Sequence, residues 1–129
     1  MQQLLFQKKA LWIHDYEIHQ RSTVERFAVR HFSGVPPLAQ HYGILTLTDK
    51  ELLLEAEDEN VGITLSEIKQ LYHGFDEYYS SASAKNFGAF WQPIRLNYTG
   101  NARLYLIIGY NGIYTANGKF FQLLKELLS

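Results

Sequence analysis

Four side chains near the start of the chain, His14, Asp15, Glu17 and His19, form its densest grouping of metal-capable groups. On a strand, alternation sends His14 to one face and Asp15, Glu17 and His19 to the other. On a helix, His14 and His19 stand five positions apart, not the four that bring two imidazoles together in an HExxH site. Either backbone scatters the set over the surface, so no metal site is expected from it. His31, His41 and His73 have no adjacent nucleophile, and no Gly-x-Ser-x-Gly elbow occurs. Asp76 and Glu77 are neighbours that a strand would turn to opposite faces, so they read as solvated charges. Gly109, Gly112 and Gly118 do not make a dinucleotide fingerprint, and Asn111-Gly112 is first of all a turn. No catalytic residue, cofactor ligand or metal ligand is therefore assigned, and the chain is not expected to be an enzyme.

The aromatic residues offer a different chemistry. Tyr78, Tyr79, Phe87, Phe90 and Trp91 surround Lys85, and rings of this kind stack on bases or sugars. Nucleic-acid binding also needs a positive field, and Lys85 alone supplies charge there. Core or partner surface is the better reading. Leu4, Leu5, Leu11, Trp12, Tyr78, Tyr79, Phe87 and Trp91 are accordingly the candidate interaction surface.

Composition narrows the class. The chain has 129 residues, 47% of them hydrophobic and 19% charged, which suits one folded domain and not a disordered one. Nine Tyr, eight Phe and two Trp favour strands. The absence of Cys removes disulfides, thiol nucleophiles and thiolate metal sites. The net charge of −1 hides an uneven distribution. Residues 1–48 carry five basic and three acidic groups, residues 49–77 two and nine, and residues 78–129 five and one. An acidic middle offers no broad positive field to nucleic acid. No apolar run approaches a spanning helix and the N-terminus is a poor signal peptide, so a soluble, cytoplasmic protein is expected.

The elements that must position these side chains are mostly strands. Gly43–Glu55 places two apolar runs around a polar Thr48-Asp49-Lys50 turn, a hairpin signal. Strands are expected at 24–32, 43–48, 51–56, 61–65, 68–73, 91–98 and 102–110, with a loop over 33–42 and an acidic turn after Glu55. Helical spacing of Leu65, Ile68 and Tyr72 leaves a helix open across that stretch. Phe120, Phe121, Leu124, Leu127 and Leu128 form an apolar stripe, which predicts a C-terminal helix capped by Asn117. In residues 1–22, Leu4, Leu5, Leu11 and Trp12 share a helical face, whereas Trp12, His14, Tyr16 and Ile18 alternate as in a strand. A short helix or coil to about residue 9, followed by a strand, is preferred.

Two motifs carry a resemblance. Gly43-Ile44-Leu45-Thr46-Leu47-Thr48-Asp49-Lys50-Glu51-Leu52 and Ile63-Thr64-Leu65-Ser66-Glu67-Ile68 resemble the pleckstrin-homology (PH) superfold in its GRAM-like bacterial form. The resemblance implies a mainly β, α+β fold: a seven-stranded, two-sheet barrel over residues 23–129, capped by the C-terminal helix. Residues 1–22 would be an extension packed on the domain or on a partner. The implied function is a non-catalytic module for protein–protein interaction or self-association, with no cofactor. Phosphoinositide-binding members carry Lys and Arg around the first strand–strand loop. Here Ser33–Tyr42 has neither, only His41, with Arg26, Arg30 and His31 before it, so phosphoinositide binding is not expected. The alternative is a small barrel that holds a lipid or other apolar ligand, or an enzyme with an unrecognised site.

Overall fold

The computed structural model describes residues 2–20, 38–80 and 90–129. The strand expected at 24–32, the first half of the 33–42 loop (33–37), Lys85 and Phe87 lie outside those residues.

Among the described residues, seven strands run in chain order: β1 (Leu4–His14), β2 (His41–Thr48), β3 (Glu51–Ala56), β4 (Asn60–Thr64), β5 (Ile68–His73), β6 (Ile94–Tyr98) and β7 (Ala102–Ile108). They form one antiparallel sheet in the order β4-β3-β2-β1-β7-β6-β5. A short helix, α1 (Asp15–His19), follows β1, and α2 (Asn117–Leu128) closes the chain. The fold is thus mainly β, a curled seven-stranded sheet with one C-terminal helix, in the α+β class expected.

The sheet is centred on the segment that sequence reasoning set aside. β1 pairs with β2 from Leu4↔Thr48 to Trp12↔His41, and with β7 from Ala10↔Ile108 to His14↔Leu104. Residues 4–14 therefore join the two halves of the sheet; they are neither helix nor coil to residue 9, nor an extension outside the barrel. The alternation was obscured because Gln7, Lys8 and Lys9 are all exposed, so this part of the strand buries neither face. Ala10, Gly43 and Ala56 lie side by side across β1, β2 and β3. A Cβ on Gly43 would come within 1.9 Å of the Glu55 carbonyl oxygen, so glycine is required for this close strand approach.

The expected hairpin is present, held by its threonine. Thr48 Oγ1 accepts from the backbone N–H of Lys50 and Glu51 at 3.2 and 3.0 Å. Leu65–Glu67 is a single 3-10 turn, which leaves Ile68 onward free to form β5 instead of a helix. β6 begins at Ile94, after Pro93, later than the 91 expected from the sequence.

Alternation along the strands divides the apolar residues between two cores. The inner face holds Ala10, Trp12, Leu45, Leu47, Leu52, Leu54, Ile63 and the even residues of β6 and β7, closed by Phe120 and Leu124 of α2. Phe120 and Leu124 are fully buried, and Leu127 is half-buried. The outer face packs Ile13, Ile18, Leu38, Tyr79, Trp91, Tyr105 and Ile107. Asn117 does not cap α2. It is buried, its Oδ1 accepts from the Ile108 N–H at 2.7 Å, and its Nδ2 donates to the Gln92 carbonyl at 2.7 Å. The asparagine thus ties the helix start to β7 and to the segment entering β6.

Burial also corrects the candidate interaction surface. Trp12 and Tyr79 are wholly buried and Trp91 nearly so, because each packs in one of the two cores. Leu4 is exposed, while Leu5, Leu11 and Tyr78 are partly so.

Candidate functional site

Strand pairing aligns Trp12 of β1 with His41, the first residue of β2, and His14 lies two positions further on the same face. The turn between β3 and β4 adds Asp58 and Glu59, and α1 folds Glu17 back over the end of β1. This return is local: the His14 backbone N–H donates to Glu17 Oε1 at 2.9 Å, three residues on. Two imidazoles and three carboxylates thus meet at one place.

The contacts are close and reciprocal. His14 Nε2 lies 2.9 Å from both Glu59 oxygens. His41 Nε2 faces Glu17 Oε2 at 2.6 Å and Glu59 Oε2 at 3.4 Å, while its Nδ1 faces Asp58 Oδ2 at 2.8 Å. Trp12 Nε1–H donates to Glu59 Oε2 at 2.8 Å, fixing that carboxylate from the core side. Trp12 stacks on the His41 ring, and Tyr16 stacks on His14. The side chains of His14 and His41 are 7% and 8% exposed. The group therefore sits just beneath the surface, with Asp58 as its most exposed member.

Burial opposes protonation of His41, but hydrogen bonds to Glu17 and Asp58 outweigh it and raise its pKa. Burial likewise pushes Glu59 up, yet the Trp12 and His14 hydrogen bonds and both nearby imidazoles hold it below the usual carboxylate range. Among the described residues, the hydrogen bonds of both imidazoles run to carboxylates, not to a hydroxyl nucleophile, so the arrangement does not resemble a hydrolytic triad.

Of the four residues singled out at the start of the chain, the structure brings together His14 and Glu17. The Asp15 carboxylate accepts from the Tyr16 backbone N–H, and His19 packs edge-on against Tyr78 at 4.4 Å, away from the cluster. His41 and Glu59 were missed. His41 shares the inward parity of Leu45 and Leu47, a signal that was readable once β2 is extended to residue 41. Glu59 sits in a turn, where no periodicity marks it.

A second polar group lies across the sheet. Asp76 Oδ1 accepts the backbone N–H groups of Tyr78 and Tyr79, both at 2.9 Å. Its Oδ2 accepts from Arg95 at 2.9 Å and from Tyr105 Oη at 2.8 Å. Arg103 lies 3.5 Å from Asp76 and pairs with Glu77 at 2.6 Å. Asp76 is thus a buried structural charge, not a solvated one, whereas Glu77 is exposed as expected. Burial raises Asp76, but the Tyr79 and Tyr78 amides with Arg95 and Tyr105 bring it below its ordinary value. Burial, and then the hydrogen bond donated to Asp76, raise the Tyr105 phenol.

No helix among the described residues is long and apolar enough to cross a membrane. No family model matches the chain, and no curated protein matches it. Among solved structures, the C-terminal domain of an unknown protein from Leishmania infantum is similar, with a TM-score of 0.56 and 14% identity. The match covers 99% of this chain and 86% of that one. At that identity the likeness extends to the fold alone.

Proposed function

We propose that the chain is a non-catalytic binding module of the PH-like, GRAM-like type, which takes a protein partner or a second copy of itself on the outer face of its sheet. The strand order, with β1 joining two halves and a helix closing the chain, supports the PH-like reading. The observation that carries the binding role is where apolar surface is left over. Trp12, Leu45, Leu54, Leu104, Phe120 and Leu124 fill the inner face without exposure. An inner face of the curled sheet filled by side chains leaves little room for an apolar ligand, which disfavours the lipid-carrier alternative.

On the outer face, Tyr42 is 60% exposed and Ile44 38%. Tyr42 also lines an open groove of about 270 Å³ with Lys9, Ala10, Leu11, Ile107 and Tyr110. Exposed tyrosine beside aliphatic side chains is the composition of interface anchors. Self-association is the form of this reading that can be tested directly. Sedimentation velocity over a wide concentration range is expected to show reversible association. Tyr42→Asp should abolish it while leaving the thermal unfolding midpoint unchanged. A chain that stays monomeric throughout overturns self-association, and association that survives Tyr42→Asp removes the groove from it.

A further inference from the structure

We propose that His14, His41, Glu59 and Glu17 form a binding site for a divalent transition-metal ion of the zinc type. His14, His41 and Glu59 each bring one ligand atom within 4.8 Å of the others. Glu17 Oε2, 2.6 Å from His41 Nε2, is the neighbouring carboxylate that would swing in as the fourth donor. Tetrahedral zinc, with bonds of ~2.0–2.1 Å, separates its ligand atoms by about 3.3 Å. The contacts of 2.6 to 3.4 Å between imidazole and carboxylate lie close to that spacing, and the remaining separations among His14, His41 and Glu59, which reach no further than 4.8 Å, would close by drawing the side chains around the ion.

Support around the donors matches that of a metal centre. A ligating histidine characteristically gives its second ring N–H to a carboxylate. His41 does so: Nδ1 faces Asp58 while Nε2 turns toward Glu17 and Glu59. Glu59 is steadied by the Trp12 indole N–H, and Glu17 by the His14 backbone N–H.

Charge points the same way. Three carboxylates surround two imidazoles, and among the described residues no Lys or Arg forms an ion pair with them. Two nitrogen and two oxygen donors select zinc or a neighbouring first-row ion over magnesium or calcium, which prefer all-oxygen shells. Binding displaces the protons shared between imidazole and carboxylate and releases them to solvent.

The test is calorimetric titration of the chelator-treated full chain with zinc chloride at mildly alkaline pH, followed by nitrogen NMR of the histidine rings. One ion per chain is expected, with the ring nitrogens of His14 and His41 shifting while those of His19 and His73 stay in place. Glu59→Gln, which keeps an acceptor for Trp12, should weaken binding at least about tenfold. His19→Ala should leave it unchanged. Cobalt(II) in place of zinc should give the intense visible absorption of a tetrahedral site. Absence of a titratable heat and of ring shifts with zinc in excess overturns the proposal, as does binding unaltered by Glu59→Gln. The NMR readout needs no variant, so a misfolded mutant does not leave the question open.

Discussion

The two clusters of buried charge among the described residues use the same chemistry with opposite charge balance. Around Asp76 and Glu77 stand two guanidinium groups, Arg95 and Arg103, and Asp76 also collects two backbone amides and a phenol. Negative charge there is fully matched by fixed donors that never lose their protons. At the other group, the ion-pair partners of Glu17, Asp58 and Glu59 among the described residues are His14 and His41, whose charge depends on protonation. A buried charge is tolerated when it is paired and hydrogen-bonded. The first group meets that condition at any ordinary pH, and this is the mark of a structural network. Among the described residues, the second meets it only with added protons or a cation, and that difference separates a candidate site from scaffolding.

The largest effect should come from breaking the matched group. Asp76 is an acceptor-only carboxylate surrounded by donors, and Asn at this position must aim its NH₂ at donors on one side. Asp76→Asn is expected to cost roughly 3–5 kcal/mol in urea unfolding, the range for removing one partner of a buried ion pair. The same residue sets an acid limb. Its folded pKa lies below the unfolded value of about 3.9, so its contribution is complete above that value and is lost as pH falls through the folded pKa. Stability of the wild-type chain should therefore decline in that acid window, and the decline should be shallower in Asp76→Asn. Equal acid slopes in the two proteins would remove Asp76 from the balance.

A smaller effect is expected where the second group is anchored to the core. Trp12→Phe deletes the N–H that fixes Glu59 Oε2 and leaves a partly buried carboxylate oxygen with one donor fewer. Hydrogen bonds to charged groups contribute about 1.5–3 kcal/mol, so a loss near 2 kcal/mol is expected by chemical denaturation. A larger loss, matching that of Asp76→Asn, would mean that packing of the indole against His41, not its hydrogen bond, dominates.

These contrasts explain what was legible in the sequence. The hairpin at Thr48, strands β3 and β5 and helix α2 were readable because each signals locally, through a polar turn, a period of two or a stripe at 3.6. Of β1 only the part after residue 9 was, since its polar middle at Gln7, Lys8 and Lys9 breaks the alternation and its pairing partners lie some thirty to a hundred residues away. The site failed for the same reason. His14 and Glu17 are neighbours in sequence, and a strand places them on opposite faces; the helical turn after His14 removes that obstacle. His41, Asp58 and Glu59 arrive through strand register, which no short window contains. Asp76 was misjudged likewise, because its side-chain donors come from β6 and β7.

The smallest effect sharpens the comparison with the most similar chemistry. Asp58→Asn is the same exchange as Asp76→Asn, applied to the other group. Asp58 is 57% exposed and makes a single described contact, to His41 Nδ1. An asparagine oxygen still accepts that hydrogen bond, and water reaches the remainder of the side chain. Solvent-exposed ion pairs contribute about 0–1 kcal/mol, so Asp58→Asn should change the unfolding free energy of the metal-free chain by less than about 0.5 kcal/mol. The substitution also lowers the negative charge crowded around Glu17 and Glu59, and relief of that repulsion offsets the weaker attraction to His41. Urea unfolding of both asparagine variants side by side is the measurement. A cost for Asp58→Asn comparable with that of Asp76→Asn would show that the second group is as fully matched as the first, and the distinction between site and scaffold would fall.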